Sequence, residues 1–223
     1  MPGDAPGSLI APCRPIQSPA VKHHTEIELK WALDAANHAA LALHLENALG
    51  EGELLEQENR FLDSTDRRLR RQGLNIRLRR EGGRVLMTCK RRVLSSDGAS
   101  HHEEWEEWSD DGDLVKLGES LPAGLETRLN LPEPHRAALA GAALEDLGGF
   151  ANQRLEFHSG DDLLCLDRTD FSVRVDYELE IETTDPARAS AEWGRRLRDW
   201  GVGWSPQPVT KFARFLDLAM QAK

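Results

Sequence analysis

TEIELKWAL, Thr25 to Leu33, puts charged and apolar side chains on strictly alternate positions: Glu26, Glu28 and Lys30 between Ile27, Leu29 and Trp31. Alternation of this kind predicts a half-buried β-strand. Side chains two apart share a face, so one face is apolar and the other carries two anions and a cation. The same oddity recurs downstream. In LNIRLRR, Arg77 and Arg79 share one face and Ile76 and Leu78 the other. In VLMTCK, Thr88 and Lys90 fall together. In SVRVDYELEIE, Arg174, Asp176, Glu178, Glu180 and Glu182 line one face, opposite Val173, Val175, Tyr177, Leu179 and Ile181. Glutamates at spacing two repel one another, so cations, a divalent metal or solvent must hold them. Two arrangements satisfy the pattern. The charged faces point outward around an apolar sandwich, or they point inward in a closed barrel. A charged lumen would let basic groups grip a polyphosphate while carboxylates hold Mg²⁺ or Mn²⁺. Periodicity does not choose between the two.

The chain has 223 residues, 39% hydrophobic and 30% charged, with a net charge of −10. That length holds one large domain or two small ones. The acidic balance argues against nonspecific binding of nucleic acid or of anionic membranes. Yet eleven of the 28 Lys and Arg fall between Arg67 and Arg92, a local cationic zone that suits a specific anionic ligand or a solvated surface. Three widely spaced cysteines, Cys13, Cys89 and Cys165, offer neither a disulfide framework nor a structural zinc site, and predict a reducing cytoplasmic setting. Residues 1–20, rich in Pro, Gly, Ser and Ala, read as a flexible tail without the pattern of a secretory signal. A single domain is expected over 21–223.

Asp34 predicts a helix N-cap before AANHAALALHLENALG, with Ala36, Ala40, Leu41, Leu45, Ala48 and Leu49 at helical spacing. LLEQENRFLDST reads as a strand, and LNIRLRREGGRVLMTCKRR as a hairpin turning at Gly82 and Gly83. HHEEWEEW is a further strand, its register ambiguous by one residue. Residues 111–147 read as helical, interrupted at Pro122, Pro132 and Pro134. Three strands follow, ANQRLEFHS, DLLCLDRTD and SVRVDYELEIET. A helix opens at Asp185–Pro186, and VTKFARFLDLAMQAK forms a last one. His23, His24, His101 and His102 read as surface residues, Cys89 as an inert residue facing away from Lys90, and Trp31 and Trp105 as core.

Taken in order, these segments resemble the CYTH domains, the triphosphate tunnel metalloenzymes. EIELK resembles their ExExK signature. RFLDSTDRRLRRQGLNIRLRR is similar to a YFDT-x-L-x-G-x-x-LR-x-R segment, LMTCK to a T-x-K strand, and HHEEWE to an Arg-x-Glu strand. NQRLEF, CLDRTDF, YELEIE and TKFARF complete the series to Phe215. The resemblance implies an α+β fold: a closed antiparallel β-barrel with helices packed outside and the charged faces inward. It implies a divalent-metal-dependent triphosphatase using Mg²⁺ or Mn²⁺, acting on a small-molecule triphosphate such as inorganic triphosphate. Its other activities, thiamine triphosphatase and class IV adenylyl cyclase, stay open, as does a noncatalytic triphosphate-binding module. Carried over by position, Lys30, Arg77, Arg79, Lys90, Arg154, Lys211 and Arg214 would bind phosphate oxygens. Glu26, Glu28, Glu178 and Glu180 would hold metal, and Glu28, Lys30 and Lys211 would serve catalysis. Glu104 and Glu182 are left unassigned. Neither nucleic acid nor membrane is an expected partner, and the chain would be a monomer or a homodimer. The departures are Phe61 and Phe212 for Tyr, His102 for Arg and Thr169 for Gly.

Overall fold

The computed structural model describes residues 22–93, 98–109 and 133–221. The expected tail, Cys13, Pro122 and Pro132 lie outside them. Eight strands close into an antiparallel barrel in the order β5-β4-β3-β2-β6-β7-β8-β1, with β1 completing the ring against β5. They are β1 (Lys22–Leu33), β2 (Glu53–Ser64), β3 (Leu74–Glu81), β4 (Arg84–Val93), β5 (Ser100–Ser109), β6 (Leu144–Ser159), β7 (Asp162–Asp170) and β8 (Val175–Glu182). A two-residue strand, β9 (Ser205–Pro206), pairs with Trp31 and Ala32 on β1.

The question left open by periodicity is answered by where the cores lie. Apolar strand faces point outward and are covered by helices. Leu29, Trp31, Leu164, Leu166, Leu179 and Ile181 pack with Leu41 and Leu45 of α1 (Ala35–Leu49) and with Trp193 and Leu197 of α4 (Pro186–Asp199). On the opposite wall Ile76, Leu78, Met87, Cys89 and Trp105 pack with Leu69 of α2 (Arg68–Arg71) and Leu139 of α3 (Glu133–Leu139). Each fully buried Leu or Ile contributes about 1.5–3 kcal/mol. A third cluster joins Phe61 and Phe150 of the barrel, and Phe171, to Phe215 and Phe212 of α5 (Lys211–Gln221). The polar faces are therefore interior.

Local chemistry agrees with most expected boundaries. Asp34 caps α1, accepting from Asn37 N at 2.7 Å, and Asp185 caps α4, accepting from Arg188 N at 3.0 Å with Pro186 in its first turn. Within α1, Leu41 and Leu45 are buried, whereas Ala36 and Ala48 are exposed. The helical reading of 111–147 is corrected at its end. Residues 144–147 belong to β6, which runs through Gly148 and Gly149 and pairs with β2. The double glycine is a bulge: Arg60 faces Gly149 while Leu62 faces Asp146. At Gly149 a Cβ would lie 1.7 Å from the Asn59 carbonyl oxygen, so only glycine lets the strands approach. Pro134 does not interrupt a helix; it is the second residue of α3. Val173 and Arg174 precede β8 rather than open it.

Candidate active site

The barrel encloses a cavity of about 620 Å³. Its wall carries nine Lys or Arg side chains and seven Glu, which makes the interior of an acidic protein locally rich in cations. Lys30, Arg77, Arg79, Lys90, Arg154, Lys211, Glu26, Glu28 and Glu180 all line it. Arg214 and Glu178 do not; they form a buried pair at 2.7 Å beside it. The ambiguous strand is resolved as well: Glu104, Glu106 and Trp108 face the cavity, and Trp105 packs outside against Cys89 and Ile76. Cys89 is buried in that outer core, where burial pushes its thiol up to about 12. Two histidines depart from the surface reading. His24 and His102 face the cavity, whereas the His23 ring stacks on Trp105 with centroids 4.8 Å apart.

Four of the cavity cations, Lys30, Lys90, Arg154 and Lys211, are held by carboxylates. The Lys30 ammonium lies 2.7 Å from Glu28 and 2.5 Å from Glu180. Lys211, at the start of α5, lies 2.8 Å from both Asp167 and Glu180 and also contacts Glu178. Arg154 donates to both oxygens of Asp167, at 2.9 and 2.7 Å, and to Glu180 at 2.6 Å. Lys90 pairs with Glu26 at 2.9 Å and with Glu104. Burial alone would raise Asp167 and Glu180. The Arg154, Lys211 and Lys30 charges outweigh it and hold both carboxyls below the usual range. Removing one member of such a buried set costs about 3–5 kcal/mol, because its partner stays charged and dry.

Two cations differ. Among the described residues neither Arg77 nor Arg79 has an ion-pair partner. Arg77 donates only to Thr88 Oγ1 at 3.2 Å, and its buried Nε has no partner at all. Arg79 donates to Asn59 Oδ1 at 3.4 Å. Burial, then repulsion from Arg77 and Arg154, lowers Arg79 to about 10. This is a cationic pole without a counter-ion, and guanidinium forks match phosphate oxygens in geometry.

Across the cavity the balance reverses. Burial first, then the neighbouring Glu26 charge, pushes Glu104 up to about 8 and Glu182 up to about 7. The Glu182 side chain is 33% exposed, so solvent screens part of its shift. Ligand atoms of Glu26, Glu28 and His102 lie within 4.8 Å of one another, as do those of Asp167, Glu178 and Glu180. The second trio is already neutralised by Arg154, Lys211 and Arg214. The first has Lys90 and Lys30 alone against a local excess of carboxylates, and its two carboxylates suit a hard divalent cation.

Residue-type reasoning missed a polar network on the β2–β6–β7 wall. Asn152 Nδ2 donates to Gln57 Oε1 at 3.1 Å and to Asp167 Oδ1 at 2.8 Å, while Thr169 Oγ1 donates to Asn152 Oδ1 at 2.7 Å. The available signal was parity: Asp167 and Thr169 occupy the same strand face, and Asn152 shares one with Arg154. Thr169 at the Gly position is thus a bonded wall residue. Phe61 and Phe212 stack on each other with centroids 4.5 Å apart, so the two Tyr-to-Phe departures form one contact.

The model of the CYTH domain family matches residues 24–215. YjbK of Bacillus subtilis, provisionally named a triphosphatase, is 26% identical over 187 residues, covering 83% of this chain and 90% of that one. HpAC1 from Hippeastrum, assigned provisionally as an adenylyl cyclase and described as having a dominant triphosphatase activity, is 28% identical. It covers 86% of this chain and 95% of that chain, with a TM-score of 0.74. A Bacillus halodurans structure described provisionally as an adenylate cyclase is 21% identical, covers 86% and 98%, and has a TM-score of 0.61, a likeness of fold.

Proposed function

We propose that this chain, which belongs to the CYTH domain family, hydrolyses a phosphoanhydride bond of a triphosphate inside the barrel, with inorganic triphosphate as its simplest substrate. The observation that carries the reading is the unpaired Arg77–Arg79 pole facing the Glu26–Glu28 wall across one cavity. A polyanion would supply the missing counter-charge. Arg77, Arg79 and Arg154 would grip phosphoryl oxygens, and Lys90 would neutralise charge beside them. Lys30 and Lys211 already bridge carboxylates at 2.5–2.8 Å. They would share those protons with the phosphate and stabilise charge as the bond breaks.

Glu26 and Glu28 would hold Mg²⁺ or Mn²⁺, with Glu180 across Lys30 as a third carboxylate. Glu178, tied to Arg214 and Lys211, would keep those cations in place rather than bind the ion directly. When bound, the ion would supply Lewis-acid stabilisation of phosphoryl oxygens. Glu28 would orient the attacking water beside it. Arg214, off the cavity wall, would act through Glu178 rather than on phosphate.

One further observation bears on the substrate. Leu86 and Trp108 are cross-strand partners that form an apolar patch on the cavity wall, with Arg84 5.0 Å above the Trp108 ring. That patch favours a substrate with a planar organic group, as in thiamine triphosphate or ATP. The test is phosphate release from inorganic triphosphate, ATP and thiamine triphosphate with Mg²⁺ or Mn²⁺, beside Glu28→Ala. Release that falls at least about 100-fold in the variant supports the reading. Binding of all three without release would make the barrel a binding module, and pyrophosphate release from ATP with cyclic AMP as the co-product would make it a cyclase. Trp108→Ala should raise KM for the organic substrates and leave that for inorganic triphosphate unchanged.

A further inference from the structure

The β1–β5 pairing sets His102 opposite Glu26, two pairs away from Glu28 and on the same strand face. His102 is only 8% exposed, and its Nδ1 is buried without a hydrogen-bond partner. That nitrogen is aimed at the two carboxylates, 3.6 Å from Glu26 Oε2 and 3.5 Å from Glu28 Oε1. Both separations lie beyond good hydrogen-bond length, and neither contact is a hydrogen bond. They fit two ligands of one ion: with bonds of about 2.1 Å, adjacent ligands sit about 3 Å apart and opposite ones about 4.2 Å. The three ligand atoms converge within 4.8 Å. The cations that face the cluster, Lys90 and Lys30, touch the carboxylates; neither pairs with His102. An imidazole nitrogen aimed between two carboxylates can give up its proton to an arriving ion and offer it the lone pair a metal needs.

We propose that His102 Nδ1 is a direct ligand of the divalent ion held by Glu26 and Glu28, so that this site selects a nitrogen-accepting first-row ion such as Mn²⁺ over Mg²⁺. The inference rests on the metal-assisted reading above and adds to it the ligand and the selectivity. Mg²⁺ keeps a shell of oxygen and water, whereas first-row ions accept imidazole readily.

The experiment uses the full-length protein with Mn²⁺ alone, read by electron spin echo modulation from ¹⁴N, with Mn²⁺ and Mg²⁺ affinities from competition titrations. Wild type should show a directly bound nitrogen. His102→Ala should lose it and bind Mn²⁺ at least about tenfold more weakly, with Mg²⁺ affinity changed less than about twofold. His24→Ala, in the neighbouring trio of His24, Glu104 and Glu106, should keep the signal. Mn²⁺ bound to wild type without ¹⁴N modulation would overturn the inference and leave the triphosphatase reading intact. A signal lost in His24→Ala but kept in His102→Ala would overturn it too. Failure of Mn²⁺ to bind at all would sink both the ligand assignment and the metal part of the proposed function. The wild-type spectrum needs no variant, so a misfolded His102→Ala leaves the test decisive.

Discussion

Arg79 sits where stability and function pull apart. It is half-buried beside Arg77 and Arg154 with no ion-pair partner among the described residues, and burial and repulsion lower it to about 10. A side chain kept for stability would have a carboxylate beside it; one kept for an anion would not. Arg79→Gln should therefore lower kcat/KM by about 10–100-fold, the worth of one charge-assisted bond, while the melting temperature holds or rises. A clear drop in melting temperature would assign Arg79 to the fold instead. Reading the sequence found this residue and its neighbours because charge alternated with apolar residues on a strand. Asp167 went unnoticed for the complementary reason: Leu166 and Arg168 flank it, and a lone acid among mixed neighbours carries no periodic signal. Its importance comes from what faces it in space, Arg154 and Asn152 of β6 and Lys211 of α5. His102 was legible as a departure, but its direction was not, because strand register decides it.

At the scale of elements, two joints hold the barrel's shape. The first is the bulge at Gly148–Gly149, which lets β6 cross β2 and seats Phe150 beside Phe61 under α5. Gly149→Ala should destabilise by about 4 kcal/mol or more, since a backbone oxygen occupies the Cβ position; denaturant unfolding checks it. The second is Asp162 at the start of β7, which accepts from Thr183 Oγ1 at 2.7 Å and Trp193 Nε1 at 2.9 Å, and from Arg188. These bonds tie α4 to the barrel. Burial would raise this carboxyl, yet bonds from Arg188, Thr183 and Trp193 hold it below its ordinary 3.8. A depressed carboxylate stabilises the fold above its unfolded value and stops doing so as pH falls through the folded one. Asp162→Asn should then cost about 1–3 kcal/mol near neutrality. The gap to wild type in melting temperature should close as pH drops below about 4. A gap independent of pH would mean the carboxylate charge plays no part. The cap residues made α1 and α4 readable in advance, whereas the strand at 144–147 was hidden because Leu144 and Leu147 keep helical spacing and their pairing with β2 is long-range.

The whole molecule inverts the usual layout: apolar cores lie outside the barrel and charge lies within. Alternation alone is symmetrical between inside and outside, so this arrangement followed from the order of motifs and is seen directly only in the packing. Buried charges of this number are costly unless something completes them, and a ligand that binds only the folded barrel must stabilise it. At about 100 times its dissociation constant it contributes about 2.7 kcal/mol. For a chain of this size that raises the melting temperature by roughly 5–10 °C. Tripolyphosphate with Mn²⁺ should produce that shift, and Arg77→Ala should abolish most of it. The most direct measurement is a crystal structure grown with tripolyphosphate and Mn²⁺, with anomalous scattering locating the ion. Tripolyphosphate is expected inside the barrel against Arg77, Arg79 and Lys211, with Mn²⁺ at Glu26 and Glu28. Tripolyphosphate on the outer surface, or a cavity holding only water at saturating ligand, would contradict this.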